Sequence, residues 1–263
     1  MSLAELKDLL YSVPYNTSVR TQCPFCSGPN VFSITNSGSS IKYHCFRNSC
    51  KRSGSVDDIP TAQEVLRNLK ERDATDEKKP FVLPTYLING ISHKNAHKWL
   101  SSTNGLDSYY RKMYKVGYDT IEDRVLYLLE DHKQIVGAVG RAVIRGTAPK
   151  VKLYPNSRIM PFIVGESSTG VVVEDCASAT SINSIPSLTG IALLGTDFKT
   201  EYVPYMQRFT RLIVALDPDA KKKAIDLKTS LKYWCKDVEI WNIPTDFKNM
   251  EANEIREFLK EVA

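Results

Sequence analysis

The chain has 263 residues, 42% of them hydrophobic and 25% charged, which suits one large or two modest globular units and excludes a disordered polymer. No apolar run approaches the roughly 18–20 residues that cross a bilayer, and the start, MSLAELKDLL, lacks the features of a secretory signal, so a cytoplasmic protein is expected. The formal net charge of +5 is clustered: five Lys/Arg and no acid lie between Arg20 and Arg52, and six Lys/Arg and no acid between His132 and Gly165. Acid-free basic stretches point to a polyanionic partner; ordinary solvated surface is the competing reading.

Leu3, Leu6, Leu9 and Leu10 have the spacing of a short amphipathic helix. Next come four of the six cysteines: Cys23-Pro-Phe-Cys26, eighteen residues, then Cys45-Phe-Arg-Asn-Ser-Cys50. In a chain without an export signal, thiols at such spacing more often hold a metal than form disulfides. Between the pairs, Val31–Ile34 and Ile41–His44 alternate like two strands around an Asn36-Ser37-Gly38-Ser39 turn. The pattern predicts a zinc ribbon, with Cys23, Cys26, Cys45 and Cys50 closing a structural site; His44 is an alternative to Cys45.

A helical piece is expected near Thr61–Arg72, and the nearly apolar-free run Asp73–Pro80 reads as the end of a charged linker. The expected division is a ribbon domain over 1–56, a linker over 57–80, a basic subdomain over 81–165 and an α/β subdomain over 166–263. In the third part, Ser92–Leu100 reads as a helix capped by Ser92, and Arg124–Glu130 and Gln134–Val143 as strands. His93 and His97 lie four apart on that helix, but with no nearby third ligand they read as a solvated face.

In the last part, four apolar, β-branched runs recur: Gly170–Val173, Ile191–Leu194, Arg211–Leu216 and Val238–Ile243. Each precedes a stretch of helical periodicity, around Ser178–Ile185, Thr200–Phe209, Ala220–Trp234 and Ala252–Val262. Continuous apolar strands alternating with helices predict a parallel sheet covered on both faces, with chemistry at the carboxyl ends of its strands. Glu174 ends the first run and Asp217-Pro218-Asp219 the third. Clustered hard oxygen donors suit Mg²⁺ or Mn²⁺, and two such ions about 4 Å apart can assist an attacking and a leaving oxygen. Taken singly, these acids also read as helix caps or solvated side chains. Cys176 reads as a buried, inert thiol.

Val171-Val172-Val173-Glu174, Ala192-Leu193-Leu194-Gly195-Thr196 and Leu212–Ala220 resemble the Toprim domain. Lys115–Tyr118, Arg124–Tyr127, Gly137–Arg141 and Pro149–Lys152 resemble the basic subdomain that precedes Toprim in DnaG-type primases, and the ribbon is similar to zinc-binding domains of bacteriophage primases. The resemblance implies a zinc ribbon linked to an RNA polymerase domain that makes RNA primers on single-stranded DNA from NTPs for DNA replication. It implies that Glu174, Asp217 and Asp219 hold the catalytic ions. By the same resemblance, Arg141, Lys150, Lys152 and Arg124 bind template or NTP phosphates. Lys42, Arg47, Lys51 and Arg52 attract the DNA backbone, while Tyr43 and Phe46 either stack on bases or pack the small ribbon core.

The chain departs from the Toprim pattern in carrying Asp175 and Ser178 after Glu174, Lys221-Lys222-Lys223 after Asp219-Ala220, and Lys248-Asn249 after the fourth strand. Asp246 is a further candidate ligand there, and Asp175 and Asp197 are compensating candidates. The length leaves no room for a fused helicase, so a separate replicative helicase is the expected partner. Two other functions share the parts: a Toprim nuclease, and a non-catalytic DNA-binding protein of RecR type.

Overall fold

The computed structural model describes residues 6, 9–10, 13, 17–37, 40–56, 67, 79–195, 197–232 and 234–262. The helix expected near Thr61–Arg72, the run Asp73–Lys78, most of the N-terminal helix and the Gly38-Ser39 turn centre lie outside them. The chain divides into two compact units, Met1–Thr75 and Asp76–Ala263.

The first unit is a four-stranded antiparallel sheet in the order β1-β2-β3-β4: β1 Thr17–Thr21, β2 Phe32–Asn36, β3 Ile41–Cys45 and β4 Ser53–Val56. The expected hairpin is the central pair. The two outer strands escaped the sequence reading because TSVRT and SGSV are mostly polar and exposed and show no buried alternation. One sheet face buries Phe32, Ile34, Ile41 and Cys45 beneath Leu6, Leu10 and Val13. The opposite face carries the rung Arg20–Ser33–His44–Ser53, aligned by the strand registers.

The second unit contains two five-stranded sheets. The antiparallel one has the order β5-β6-β7-β8-β9: β5 Ile88–Asn89, β6 Val116–Asp119, β7 Arg124–Asp131, β8 Gln134–Ala142 and β9 Val151–Leu153. His132 and Lys133 join β7 to β8 with φ of 47° and 66°, two consecutive left-handed residues that match the twist of a tight hairpin. Helix α1, Lys94–Ser102, starts later than expected, after a 3₁₀ turn over Gly90–Ser92. His93 rather than Ser92 stands at its cap, its ring stacked on Tyr118 at 3.8 Å. His97 is exposed, and no metal-ligating group of three or more among the described residues includes either histidine. Helix α2, Gly105–Tyr110, follows.

The second sheet runs β10-β12-β11-β13-β14: β10 Phe162–Val164, β11 Thr169–Val173, β12 Thr189–Ala192, β13 Arg211–Val214 and β14 Asp237–Ile240. The last four are parallel, as their apolar runs predict; β10 adds an unforeseen antiparallel edge. Helices α4 (Val203–Met206) and α5 (Lys221–Leu231) fall inside the predicted stretches, α6 (Ala252–Val262) matches its own, and α3 (Cys176–Ile182) starts two residues before and ends three before the expected Ser178–Ile185. All of α3 is buried, and it presses so closely on β12 that a Cβ on Gly190 would stand 2.0 Å from the Ala179 carbonyl oxygen.

Strand alternation decides which side chains of the antiparallel sheet meet the parallel one. Val125, Tyr127, Leu129 and Val139 join Ala96, Leu100, Phe162, Val171 and Val173 in the main core. The other face packs Leu126, Leu128, Ala138 and Tyr154 against Phe81 and Leu87. From the adjacent strands β11 and β13 the chain leads away in opposite directions, to β12 and to β14, which opens a crevice between their carboxyl ends.

Candidate functional site

The four cysteines form one cluster whose sulfur atoms all lie within 4.8 Å of one another. Cys23 and Cys50 Sγ are 3.9 Å apart, as are those of Cys26 and Cys45. Zn–S bonds of about 2.3 Å in a tetrahedron put sulfurs about 3.8 Å apart, so the donor set fits a structural zinc ion. Backbone bonds shape both knuckles: Ser27 N–H donates to the Cys23 carbonyl at 2.8 Å and Cys50 N–H to the Arg47 carbonyl at 2.9 Å. Ser27 and Lys51, each just after the second cysteine of a pair, take φ of 54° and 46° to turn the chain away. The Gly28 amide draws the Cys26 thiol down to about 7, favouring the thiolate a metal needs. His44 points to the opposite sheet face, its edge against the Phe46 ring at 4.7 Å, which leaves Cys45 as the ligand.

Around this centre, Tyr43 stacks on Phe25 and lies tilted against Phe32, and is ring packing for the ribbon. Phe46 is 53% exposed, with the Arg20 guanidinium over its ring at 4.7 Å. Arg52 lies over exposed Phe25, Lys42 and Lys51 are exposed, and Arg47 donates to the Cys26 carbonyl at 3.3 Å.

In the second unit, a cleft of about 740 Å³ opens at the carboxyl ends of β11 and β13. Its lining brings Glu174, Asp217 and Asp246 together with Arg141, Lys150, Trp99 and Lys248. Burial and the neighbouring Asp219 and Asp246 charges push the Glu174 carboxyl up. Burial, a hydrogen bond with Asp246 and the Glu174 charge push Asp217 up to about 7. Asp246 moves down: burial opposes this, but the Lys248 hydrogen bond, the Asp217 hydrogen bond and the Lys150 charge outweigh it. These are acids crowded by their own kind. Their oxygens are more widely spaced than the cysteine sulfurs: among the described residues, only the thiols close to within 4.8 Å as a set. Hard oxygen donors on a solvent-open cleft fit a Mg²⁺ or Mn²⁺ ion that keeps several waters.

Asp219 is exposed and does not line the cleft, although its charge reaches Glu174. Asp175 is the N-cap of α3, accepting from Ser178 N–H at 2.9 Å. Lys248, its side chain only 12% exposed, donates to Asp175 at 2.7 Å and also to Asp246. Asp246 thus occupies the cleft more fully than Asp219, which the strand-end Asp-x-Asp spacing favoured. Asp197 is not among the lining residues. Cys176 is buried, and burial first, then Asp175, holds its thiol well above the ordinary range, in keeping with an inert thiol.

The four basic residues expected on phosphate separate by strand face. Arg141 faces the cleft, its guanidinium 4.7 Å over Trp99 and its Nε buried without a hydrogen-bond partner. Lys150 lines the same cleft. Lys152 pairs across the ladder with Gly140 and so belongs to the opposite face, where it bonds Glu122 at 2.5 Å. Arg124 is 1% exposed, donating to Glu122 at 2.8 Å and to the Pro149 carbonyl at 2.7 Å. This burial turns the donors of Arg124, expected on phosphate, toward Glu122 and the Pro149 carbonyl. The packing partner Trp99 was missed, since a lone Trp on an amphipathic helix reads as core.

The sequence matches no protein-family profile and no curated protein. Its structure is similar to solved ones. The primase fragment of the bacteriophage T7 primase-helicase superposes with a TM-score of 0.50 at 15% identity, covering 93% of this chain and 99% of that one. The zinc-binding and RNA polymerase domains of the Aquifex aeolicus primase give 0.44 at 16% identity, covering 97% and 82%. A DnaG primase catalytic domain bound to ssDNA gives 0.43 at 15% identity, covering 77% and 73%. At such identity the likeness speaks for architecture: the chain has the fold of the DnaG-type primases, a small β domain bearing a four-cysteine cluster followed by a primase-like α/β core.

Proposed function

We propose that the chain is a DNA primase that joins ribonucleotides on single-stranded DNA. One observation carries the reading: in a primase-like fold, one cleft is lined by Glu174, Asp217 and Asp246 together with Lys150 and with Arg141, whose Nε has no hydrogen-bond partner. Phosphoryl transfer needs mainly positioning and charge neutralisation, and this cleft offers both signs of charge. Glu174 and Asp217 would hold Mg²⁺ or Mn²⁺, with Asp246 beside them and Asp219 at the rim. Such an ion, when bound, would supply charge neutralisation for the triphosphate and acidify the primer-end hydroxyl. Arg141, braced on Trp99, directs its free N–H groups at phosphate, and Lys150 adds charge beside it. The second subdomain is a Toprim-type sheet in this reading.

The ribbon takes a structural zinc ion and offers Phe46, Arg20, His44, Arg47 and Lys51 to the template. Phe46 stands out of the ribbon core, where an unpaired base can stack on it. A separate replicative helicase is the partner we expect; stimulation of primer synthesis by that helicase tests it. The central experiment supplies labelled NTPs, Mg²⁺ or Mn²⁺ and single-stranded DNA. Template-dependent oligoribonucleotides that vanish in Asp217→Ala support the reading. Cleavage of the DNA without synthesis would favour a nuclease, and neither product a binding protein.

A further inference from the structure

Lys150 and Lys152 are two residues apart, and a continued strand would turn both to one face. They diverge instead. Lys152 sits on the outer face, paired with Glu122 and with its ammonium 5.3 Å from the Tyr154 ring centre. Lys150 lines the acidic cleft on the inner face. The β8–β9 ladder ends at Val151, so the chain is free to turn just before it. What fixes that turn is a pair of hydrogen bonds on consecutive carbonyls. Arg124 Nη1 donates to the Pro149 carbonyl at 2.7 Å, and Ala142 N–H donates to the Lys150 carbonyl at 3.0 Å. Arg124 and Ala142 are themselves register partners of β7 and β8, so both clamps come from one rung.

Arg124 is buried on the outer face and reaches no part of the cleft lining. Its Nε bond to Glu122, itself held by Lys152, fixes the direction of its guanidinium. The segment it restrains is exposed over Ile144–Gly146 and again over Ala148–Lys150. We infer that Arg124 is a positioning residue: through the Pro149 carbonyl it aims Lys150 into the cleft, where Lys150 meets phosphate. This rests on the reading of Lys150 given above, and the experiment separates the two.

The full chain is prepared as wild type, Lys150→Ala, Arg124→Gln and the double variant. Each is titrated with a fluorescent ATP analogue and with a labelled oligo(dT), the two sources of phosphate. Lys150→Ala is expected to weaken at least one probe about tenfold, the loss of one charge-assisted contact. Arg124→Gln should weaken that same probe about fivefold while Lys150 is present, and leave it unchanged, within about 1.5-fold, when Lys150 is absent. Thermal stability should fall by the same amount in both backgrounds, because the lost Glu122 and Pro149 bonds do not involve the Lys150 side chain. Arg124→Lys keeps a charge beside Glu122 but cannot span both partners, and gives the same pattern at smaller size if Arg124→Gln fails to fold. An Arg124→Gln effect of equal size with and without Lys150, or none with it, overturns the inference. No effect of Lys150→Ala on either probe overturns the phosphate reading of Lys150 and the inference with it.

Discussion

The cysteine cluster and the acidic cleft both gather side chains of the kinds that ligate metal ions, yet they are assembled in opposite ways. The thiols come from one stretch between Cys23 and Cys50, two knuckles closed by their own backbone turns. The carboxylates come from the loops after β11 and β13 and from the 3₁₀ turn beyond β14, and the basic residues beside them from that turn and from the other sheet. A soft, four-thiolate site is defined by local spacing and holds up the small domain around it. The cleft is defined by sheet order, and its carboxylates repel one another while the sheets that carry them have a large core of their own.

The largest expected effect tests the first half of that contrast. Cys45→Ser, or stripping by a strong chelator, should unfold residues 1–75 and leave 76–263 folded, since structural zinc contributes about 10–16 kcal/mol of apparent binding energy to such domains. Limited proteolysis with a colorimetric zinc assay reads it: one zinc per wild-type chain, none in the variant, and rapid loss of the N-terminal fragment alone. His44→Ala should keep its zinc. A Cys45→Ser ribbon that still resists protease would put the stability of this unit in its apolar core instead.

The cleft should behave in the reverse manner. Asp217→Asn and Glu174→Gln should lower primer synthesis about a thousandfold, while the metal-free melting temperature holds or rises, because each removes a crowded carboxylate. Asp219→Asn, at the exposed rim, should cost about tenfold. Equal losses at Asp217 and Asp219 would return Asp219 to the centre of the site, as the Asp-x-Asp spacing implies.

That ranking marks what a sequence can carry. The four ligands Cys23, Cys26, Cys45 and Cys50, the parallel strands and Glu174 with Asp217 were legible because each is written in local spacing or apolar runs. The separation of Lys150 from Lys152 was not, since it depends on where the β8–β9 ladder stops. Nor was the burial of Arg124, which depends on a carbonyl 25 residues away. Asp246 was visible only as an acid after the fourth strand; its place in the cleft requires the fold. The strands β1 and β4 were missed because edge strands need not be apolar, and β10 because an apolar run of three residues is too short to stand out.

A smaller effect falls back on the ribbon. Phe46→Ala should weaken binding of a short single-stranded DNA about tenfold, the scale of one base–aromatic stack, without loss of zinc or stability. Phe46 is exposed and its ring rests against Arg20 and His44, so truncation opens no buried cavity. Unchanged DNA binding would assign the template to another part of the molecule.

The smallest effect concerns pH, and it distinguishes the two centres without any substrate. Asp217 holds its proton up to about 7 in the folded cleft, against an ordinary 3.8, chiefly through burial, then through its bond to Asp246 and the Glu174 charge. The folded state therefore binds this proton more tightly than the unfolded chain does. The resulting stability is complete below about pH 4 and is lost as pH rises through about 7. Glu174, also raised, acts in the same direction. Asp246 is lowered, so its contribution is lost only as pH falls beneath the ordinary carboxylate range, outside that window. All three tryptophans lie in residues 76–263, so their fluorescence follows this unit and not the ribbon. Without divalent cations, its melting temperature should fall by a few degrees between pH 5 and pH 8, given about 2–4 °C per kcal/mol for a domain of this size. Asp217→Asn should flatten the slope, and so should Mg²⁺ or Mn²⁺, since a cation among the carboxylates replaces that proton. A slope that survives Asp217→Asn would trace to some other group and break the link between crowding in the cleft and its need for a cation.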